Sequence, residues 1–154
     1  MRESTTMPVL VYLAGASREH ERVKRWAHAI DRARCLEVSH RWFEDAETWH
    51  GKDHELTRAR ARDIAQEDER HIRASRIFWL LWPIELRPGA FIELGHALCH
   101  RFHVGRSYDV IVSGAGCCSS IFTASADFRD DSDELAFDAL LQLARRHLPL
   151  KAAR

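Results

Sequence analysis

The chain has 154 residues, of which 45% are hydrophobic and 30% are charged, a balance typical of one globular domain with a sizeable core. Its 23 Lys and Arg residues equal its 23 Asp and Glu residues, so it lacks the excess positive charge with which proteins bind polymeric nucleic acid. No apolar run approaches the roughly 20 residues that span a bilayer, and residues 1–8 lack the apolar core of a secretory signal. We therefore expect a single cytoplasmic domain over residues 1–154, with a flexible tail at 1–8 and no membrane partner.

The cysteine pattern agrees with a reducing compartment. The four cysteines show no CxxC spacing of the kind that binds zinc, and two of them are direct neighbours, which rarely pair with each other. We expect all four to be reduced thiols: Cys35, Cys99, Cys117 and Cys118.

The amino-terminal part of the chain alternates between apolar runs and amphipathic segments. The continuous apolar run 9–14 predicts a strand buried on both faces, and Gly15 ends it. Ser17 is then a candidate N-cap for a helix whose apolar side includes Trp26 and Ile30. The next predicted segments are a short strand at 35–38, a polar, Trp-rich loop at 40–54 and a charged helix at 55–74.

The remaining segments continue this alternation. The most apolar run, 77–82, predicts a central strand that Pro83 stops. Segment 119–126 is ambiguous between a short helix and a turn. The other predicted elements are a helix at 89–103, a strand at 108–112, an edge strand near 127–128 and a helix at 132–148 capped by Ser132.

Alternating strands and helices predict right-handed crossovers and a parallel sheet. We expect an α/β, flavodoxin-like fold with five parallel strands in the order 2-1-3-4-5 and helices on both faces. In such sheets ligands bind at the carboxyl ends of the strands, where the strand order reverses. This topology places Gly15–Arg18 beside 82–93.

Two acidic residues are candidates for chemistry near that point. Glu93 follows the segment 87–92 near the start of a helix, where a carboxylate can act as a nucleophile or a general base. Alternatively, it only interacts favourably with the helix dipole. Asp68 lies on the preceding helix and reaches the sheet only if that helix is tilted suitably. Otherwise it is a solvated surface charge.

Basic residues and histidines supply further candidates. Arg18 lies at a helix start and Arg87 precedes Gly89 near the same cleft, so the two arginines could hold a phosphate or carboxylate. Either could instead be an ordinary surface charge, and in that case Arg87 would pair with Glu85 on the surface. The histidines at 96, 100 and 103 have spacing that can bind zinc, but the core-forming residues of that helix place them on the solvent side. We therefore expect no metal there.

Three segments in this order resemble the nucleoside 2-deoxyribosyltransferase family and the related 2′-deoxynucleoside 5′-monophosphate N-glycosidases. They are Tyr12–Arg18, Glu67–Asp68 ahead of the central strand, and Gly89–Ala97 with its Glu-Leu-Gly-x-Ala motif. The resemblance covers about residues 9–127, and that motif is its most specific part. It implies a flavodoxin-like fold, in agreement with the topology argument.

The resemblance also implies roles for individual residues. Glu93 matches the nucleophile that attacks the anomeric carbon of the sugar, and Asp68 matches the aspartate that protonates or orients the base. Tyr12 matches a tyrosine near the nucleophile. In the phosphate-dependent relatives, the turn that matches Gly15–Arg18, which contains Ser17, contacts phosphate. Ser119 matches a serine that reaches the site of a neighbouring subunit, which implies a homodimer or a higher homo-oligomer.

Two departures from the family pattern bear on the ligand. Arg87 stands where transferases of free nucleosides usually carry an aspartate, and Arg76 stands where the third strand often begins with one. Arg87 favours a phosphorylated ligand, with Gly89 beside it in the substrate site.

These residues suit cleavage or transfer at the N-glycosidic bond of a nucleoside or nucleoside 5′-monophosphate. The reaction builds positive charge on the sugar, which a carboxylate stabilises and can trap as an ester, without a metal or redox cofactor. Two alternatives are a non-catalytic sensor of a nucleotide-derived ligand and an NAD glycohydrolase. The segment Trp42–Trp49 is a candidate for stacking on a base or for a dimer contact.

Overall fold

The computed structural model describes residues 7–44, 57–85 and 87–148. Within these ranges one sheet of five strands forms, all neighbours are parallel, and the order is 2-1-3-4-5. The predicted flavodoxin-like α/β topology is therefore confirmed. The strands are β1 (Val9–Ala14), β2 (Leu36–Val38), β3 (Ile77–Leu81), β4 (Asp109–Ser113) and β5 (Phe128–Asp130).

Residues 42–44, within the predicted loop 40–54, are helical. Four helices lie entirely within the described ranges, where they connect and follow the strands. They are α1 (His20–Arg32), α2 (Arg58–Ala74), α3 (Pro88–Val104) and α4 (Asp133–His147). The ambiguous segment 119–126 contains parts of two short 3-10 turns, Cys117–Ser119 and Phe122–Ser125. No helix among the described residues is long and apolar enough to cross a membrane.

The helices lie on both faces of the sheet, as predicted. Side chains of a strand point alternately to opposite faces, so Val11 and Leu13 join the cluster with α1 and α4, whereas Tyr12 joins the cluster with α2 and α3. Ile72 is the buried residue of α2, which explains why the apolar pattern of that helix is sparse.

Of the two predicted helix N-caps, one is confirmed and the other is wrong. Ser132 caps α4, because its hydroxyl accepts a hydrogen bond from the Leu135 N–H at 3.2 Å. The prediction that Ser17 caps α1 is wrong. Ser17 begins a 3-10 turn instead, and α1 starts at His20 with Glu19 in the N-cap position. The reason is that the chain leaves β1 through this tighter turn, which delays the helix by two residues.

A charged contact joins α1 to the start of α4. Arg22 donates two hydrogen bonds to the Asp133 carboxylate at 2.8 Å each, and a third to the Trp82 carbonyl at 2.9 Å. Although burial opposes ionisation, hydrogen bonds from Arg22 and Ser113 lower the pKa of Asp133. Gly114 passes close by with φ +119°, and a Cβ there would lie 2.6 Å from the Arg22 guanidinium.

We predict that Asp133→Ala destabilises the protein, because it leaves the half-buried Arg22 guanidinium without its main partner. The expected loss is about 2 to 3 kcal/mol, below the range for fully buried pairs because both side chains remain partly exposed. Urea unfolding measures it. Asp138→Ala, an exposed aspartate of the same helix, is the matched control. Equal stability of the two variants would contradict the prediction.

Candidate active site

The Tyr12 hydroxyl lies between two carboxyl groups. Its oxygen is 3.1 Å from Asp68 Oδ1 and 3.1 Å from Glu93 Oε1, so β1, α2 and α3 meet at one point. The Tyr12 ring is fully buried and stacks on Phe78 with centroids 5.8 Å apart. The structure thus brings together the three residues that the sequence predicts as catalytic.

Helix periodicity explains how both carboxyl groups reach Tyr12. Asp68 lies one turn before Ile72, the buried residue of α2, and so it shares the side of the helix that faces the sheet. Glu93 lies between Ala90 and Ala97 at helical spacing, and both alanines are buried. Because α3 begins at Pro88, Glu93 lies in its second turn, where a helix-dipole interaction is weak.

The contact of Tyr12 with two carboxyl groups contributes to shifts in the pKa values of Tyr12 and Glu93. Burial raises the pKa of Glu93 to about 8; Asp68 adds to this increase, and the Tyr12 hydrogen bond opposes it. Burial and then the two carboxylates raise the pKa of Tyr12 well above its ordinary value. The phenol has a single proton to donate. Tyr12 therefore donates to only one of the two carboxyl groups at a time, and when Glu93 carries a proton it can donate that proton to the Tyr12 oxygen while Tyr12 donates to Asp68.

His40 extends this cluster, although its sequence context predicts only a polar loop. Its Nε2 atom lies 3.4 Å from Asp68 Oδ1, and its ring stacks on His71 with centroids 4.6 Å apart. His40 comes just after β2, at the edge of the sheet next to β1, and that position could have indicated it. Trp42 is half-buried and donates to the Leu13 carbonyl at 2.9 Å, whereas Trp49 lies outside the described residues.

Arg18 and Arg87 converge, as the sequence suggested, but on a carboxylate of the chain itself. Glu85 Oε2 lies 3.4 Å from Arg18 Nη1 and 3.0 Å from Arg87 Nη2. The side chains of Arg18, Arg87 and Glu85 are 55%, 39% and 68% exposed, so an added anion could compete with Glu85.

The other predicted substrate residues lie in turns and at a helix start. Gly15 is close to α1, since a Cβ there would lie 2.9 Å from Val23 Cγ2. Ser17 belongs to the following 3-10 turn, and Gly89 is exposed in the first turn of α3. Ser119 is exposed, and its hydroxyl donates to the Gly116 carbonyl at 2.6 Å.

The histidines of α3 make separate contacts. His96 Nδ1 lies 3.9 Å from Glu69, His100 packs edge-on against Tyr108, and His103 packs against the Phe102 ring. Among the described residues, the groups whose potential ligand atoms come close are His40 with Glu67 and His71, and Cys117 with Cys118 and Asp131. The four cysteines are unpaired thiols.

Comparisons with known proteins show a shared fold. No family model and no curated protein sequence matches the chain. Among solved structures, it is similar to the CMP N-glycosidase BcmB of Clostridium botulinum, with a TM-score of 0.56 and 14% identity over 86% of this chain and 98% of that chain. At this identity the likeness establishes the fold alone.

The raised pKa of Glu93 predicts how stability depends on pH. Between about pH 4.3, the pKa of an unfolded glutamate, and the native value of about 8, the unfolded chain has lost a proton that the native state keeps. This group therefore makes stability fall as pH rises through that window, by up to about 1.4 kcal/mol per pH unit. Urea unfolding from about pH 5 to about pH 8 should show a shallower decline in Glu93→Gln.

Glu37→Gln, which changes an exposed glutamate on β2, is the control and should follow the wild type. If Glu93→Gln also follows the wild type at every pH, then Glu93 does not hold a proton in the native state.

Proposed function

We propose that this protein cleaves the N-glycosidic bond of a nucleoside 5′-monophosphate, or of a nucleoside, with Glu93 as the nucleophile. The observation that carries the proposal is the placement of two carboxyl groups at 3.1 Å on either side of one buried tyrosine hydroxyl. The likeness in fold to a CMP N-glycosidase supports the choice of reaction.

One coupled proton transfer gives Glu93 and Asp68 the charge states that the proposed reaction needs. Glu93 passes its proton to the Tyr12 oxygen while the Tyr12 proton moves to Asp68. This leaves a Glu93 carboxylate, which can act as a nucleophile, and a protonated Asp68, which can act as a general acid. Tyr12 ends the step as a neutral phenol, as it began.

The bond changes then follow from these two states. A Glu93 carboxylate oxygen bonds to C1′, the electron pair of the C1′–N bond leaves with the base, and Asp68 gives its proton to that base. In hydrolysis, water attacks C1′ of the glycosyl ester and Asp68 takes up the released proton. In transfer, a second base attacks instead, so the two outcomes differ only in the acceptor.

We predict that Glu93→Gln lowers base release by about three orders of magnitude or more, because the nucleophile is removed while the shape is kept. Free base is followed by chromatography for a panel of nucleosides, ribo- and deoxyribonucleoside 5′-monophosphates and NAD, with and without an acceptor base. Glu37→Gln is the control and should keep wild-type activity.

The same panel separates the alternatives. Turnover of NAD alone would assign a glycohydrolase, and tight binding without release of any base would assign a sensor. Normal turnover by Glu93→Gln would exclude Glu93 as the nucleophile.

We also propose that Arg18 and Arg87 bind the 5′-phosphate, which replaces the Glu85 carboxylate between them. Two charge-assisted contacts at partly exposed side chains should favour a monophosphate over its nucleoside by about tenfold to a hundredfold in kcat/KM. Arg87→Ala should lose about tenfold of this preference, whereas Glu85→Gln should increase it because a competing anion is removed.

Arg58→Ala, an exposed arginine at the start of α2, is the matched control. Equal kcat/KM values for monophosphate and nucleoside in the wild type would rule out a phosphate site. A preference that survives Arg87→Ala would leave Arg18 as the binding residue.

A homodimer or higher homo-oligomer is the third part of the proposal, with Ser119 reaching the site of a neighbouring copy. Ile121 and Phe122 follow Ser119 and are 80% and 70% exposed, an apolar surface that a second copy would cover. We expect sedimentation at micromolar concentration to show at least a dimer, and Phe122→Asp to weaken it. Wild-type protein that sediments only as a monomer would contradict this.

A further inference from the structure

A second cluster of side chains lies beside the candidate active site, with no part in the proposed reaction step. Glu67 and His71 lie one turn apart on α2, and His40 lies in the segment after β2. Each offers one potential ligand atom, and these atoms all lie within 4.8 Å of one another. All three residues are half-buried.

The chemistry of this set suits a divalent transition metal. Two imidazoles and one carboxylate are ligands that Zn²⁺ accepts, with water as the fourth ligand. Residues at i and i+4 on a helix lie on the same face, so Glu67 and His71 can bind one ion without a change in the backbone.

Closing the site requires the three ligand atoms to move closer together. Bonds of about 2.0 to 2.2 Å in a tetrahedron put ligand atoms roughly 3.4 Å apart, so the present separations must shorten by up to about 1.5 Å. The His40 and His71 rings are nearly parallel, at 9°, and the lone pairs of parallel rings do not converge. One ring must therefore turn about its Cβ–Cγ bond.

Asp68 supplies the outer contact that metal-binding histidines usually have. His40 Nε2 lies 3.4 Å from Asp68 Oδ1, which leaves Nδ1 of the same ring for an ion. A carboxylate that accepts from the second ring nitrogen fixes both the tautomer and the ring orientation of a metal-bound histidine.

Hydrogen bonds of the Ser75 side chain already link the segments that carry the two histidines. The Ser75 hydroxyl lies 2.9 Å from Ser39 Oγ and 2.8 Å from the His71 carbonyl oxygen, so the residue before His40 is tied to the end of α2. One competing contact exists: Arg70 Nη2 lies 3.6 Å from Glu67 Oε1. Arg70 is 71% exposed and can move into solvent when an ion binds.

We propose that His40, Glu67 and His71 bind Zn²⁺ or a similar divalent transition-metal ion, which joins the segment after β2 to α2. The inference does not depend on the proposed function. The ion would hold one wall of the candidate active site, because His40 also contacts Asp68.

The test uses the full-length protein, first freed of metal with a chelator, and Zn²⁺ as the probe. Calorimetry should show one ion per chain, and at about a hundredfold excess over Kd the Tm should rise by about 5 to 10 °C. His71→Ala should weaken binding by about a hundredfold and Glu67→Gln by about tenfold. His103→Ala, an exposed histidine on α3, is the matched control and should bind like the wild type.

Binding of Co²⁺ shows whether the ion occupies the proposed site or the second cluster, which consists of Cys117, Cys118 and Asp131. Cobalt at the proposed site should give ligand-field bands without the thiolate-to-cobalt charge-transfer band that cysteine ligands produce. Loss of binding in Cys118→Ser, with binding retained in His71→Ala, would assign the ion to the cysteine cluster and overturn the proposal. Absence of any Zn²⁺ binding would overturn it as well. Thermal unfolding of each metal-free variant confirms that a loss of binding does not come from misfolding.

Discussion

The hydrogen-bonded contact of one buried tyrosine with two carboxyl groups constrains the centre of this protein. Tyr12 on β1, Asp68 on α2 and Glu93 on α3 meet at 3.1 Å, so the two helices on one face are fixed against the sheet at the same atom. Burial and the repulsion from Asp68 raise the pKa of Glu93 to about 8, which favours a proton on Glu93. In the proposed reaction, movement of that proton from Glu93 towards Asp68 creates both nucleophile and acid.

Much of the fold could be predicted because hydrophobic periodicity sets it locally. The apolar run predicts β1 over its full length, and the alternation of strands and helices predicts the parallel sheet, for which the flavodoxin-like strand order was the expected one. Glu93 and Asp68 could be predicted as site residues because helical spacing relates each to buried neighbours and the topology places both helices near β1. The failure at Ser17 has a local cause, since a 3-10 turn and an α-helix begin with similar residues.

Electrostatic partners from distant segments could not be predicted. Arg87 and Glu85 are two positions apart, and their pairing could be expected from the sequence, whereas Arg18 joins them only after two loops come together at the end of the sheet. His40 reaches Asp68 across 28 positions of the chain, and no spacing rule relates them. Sequence patterns therefore indicated which residues carry charge near the cleft, but three-dimensional packing decides which charges meet.

The most direct test of Glu93 as a nucleophile is to trap the glycosyl ester. A 2′-fluoro nucleoside 5′-monophosphate with the base that the protein releases fastest is suitable, because fluorine slows breakdown of the ester by destabilising positive charge on the sugar. After an acid quench, peptide mass spectrometry should find the fluorinated sugar phosphate on Glu93 in the wild type and none in Glu93→Gln. A label on another residue would contradict the account, as would stoichiometric release of the base with unmodified Glu93.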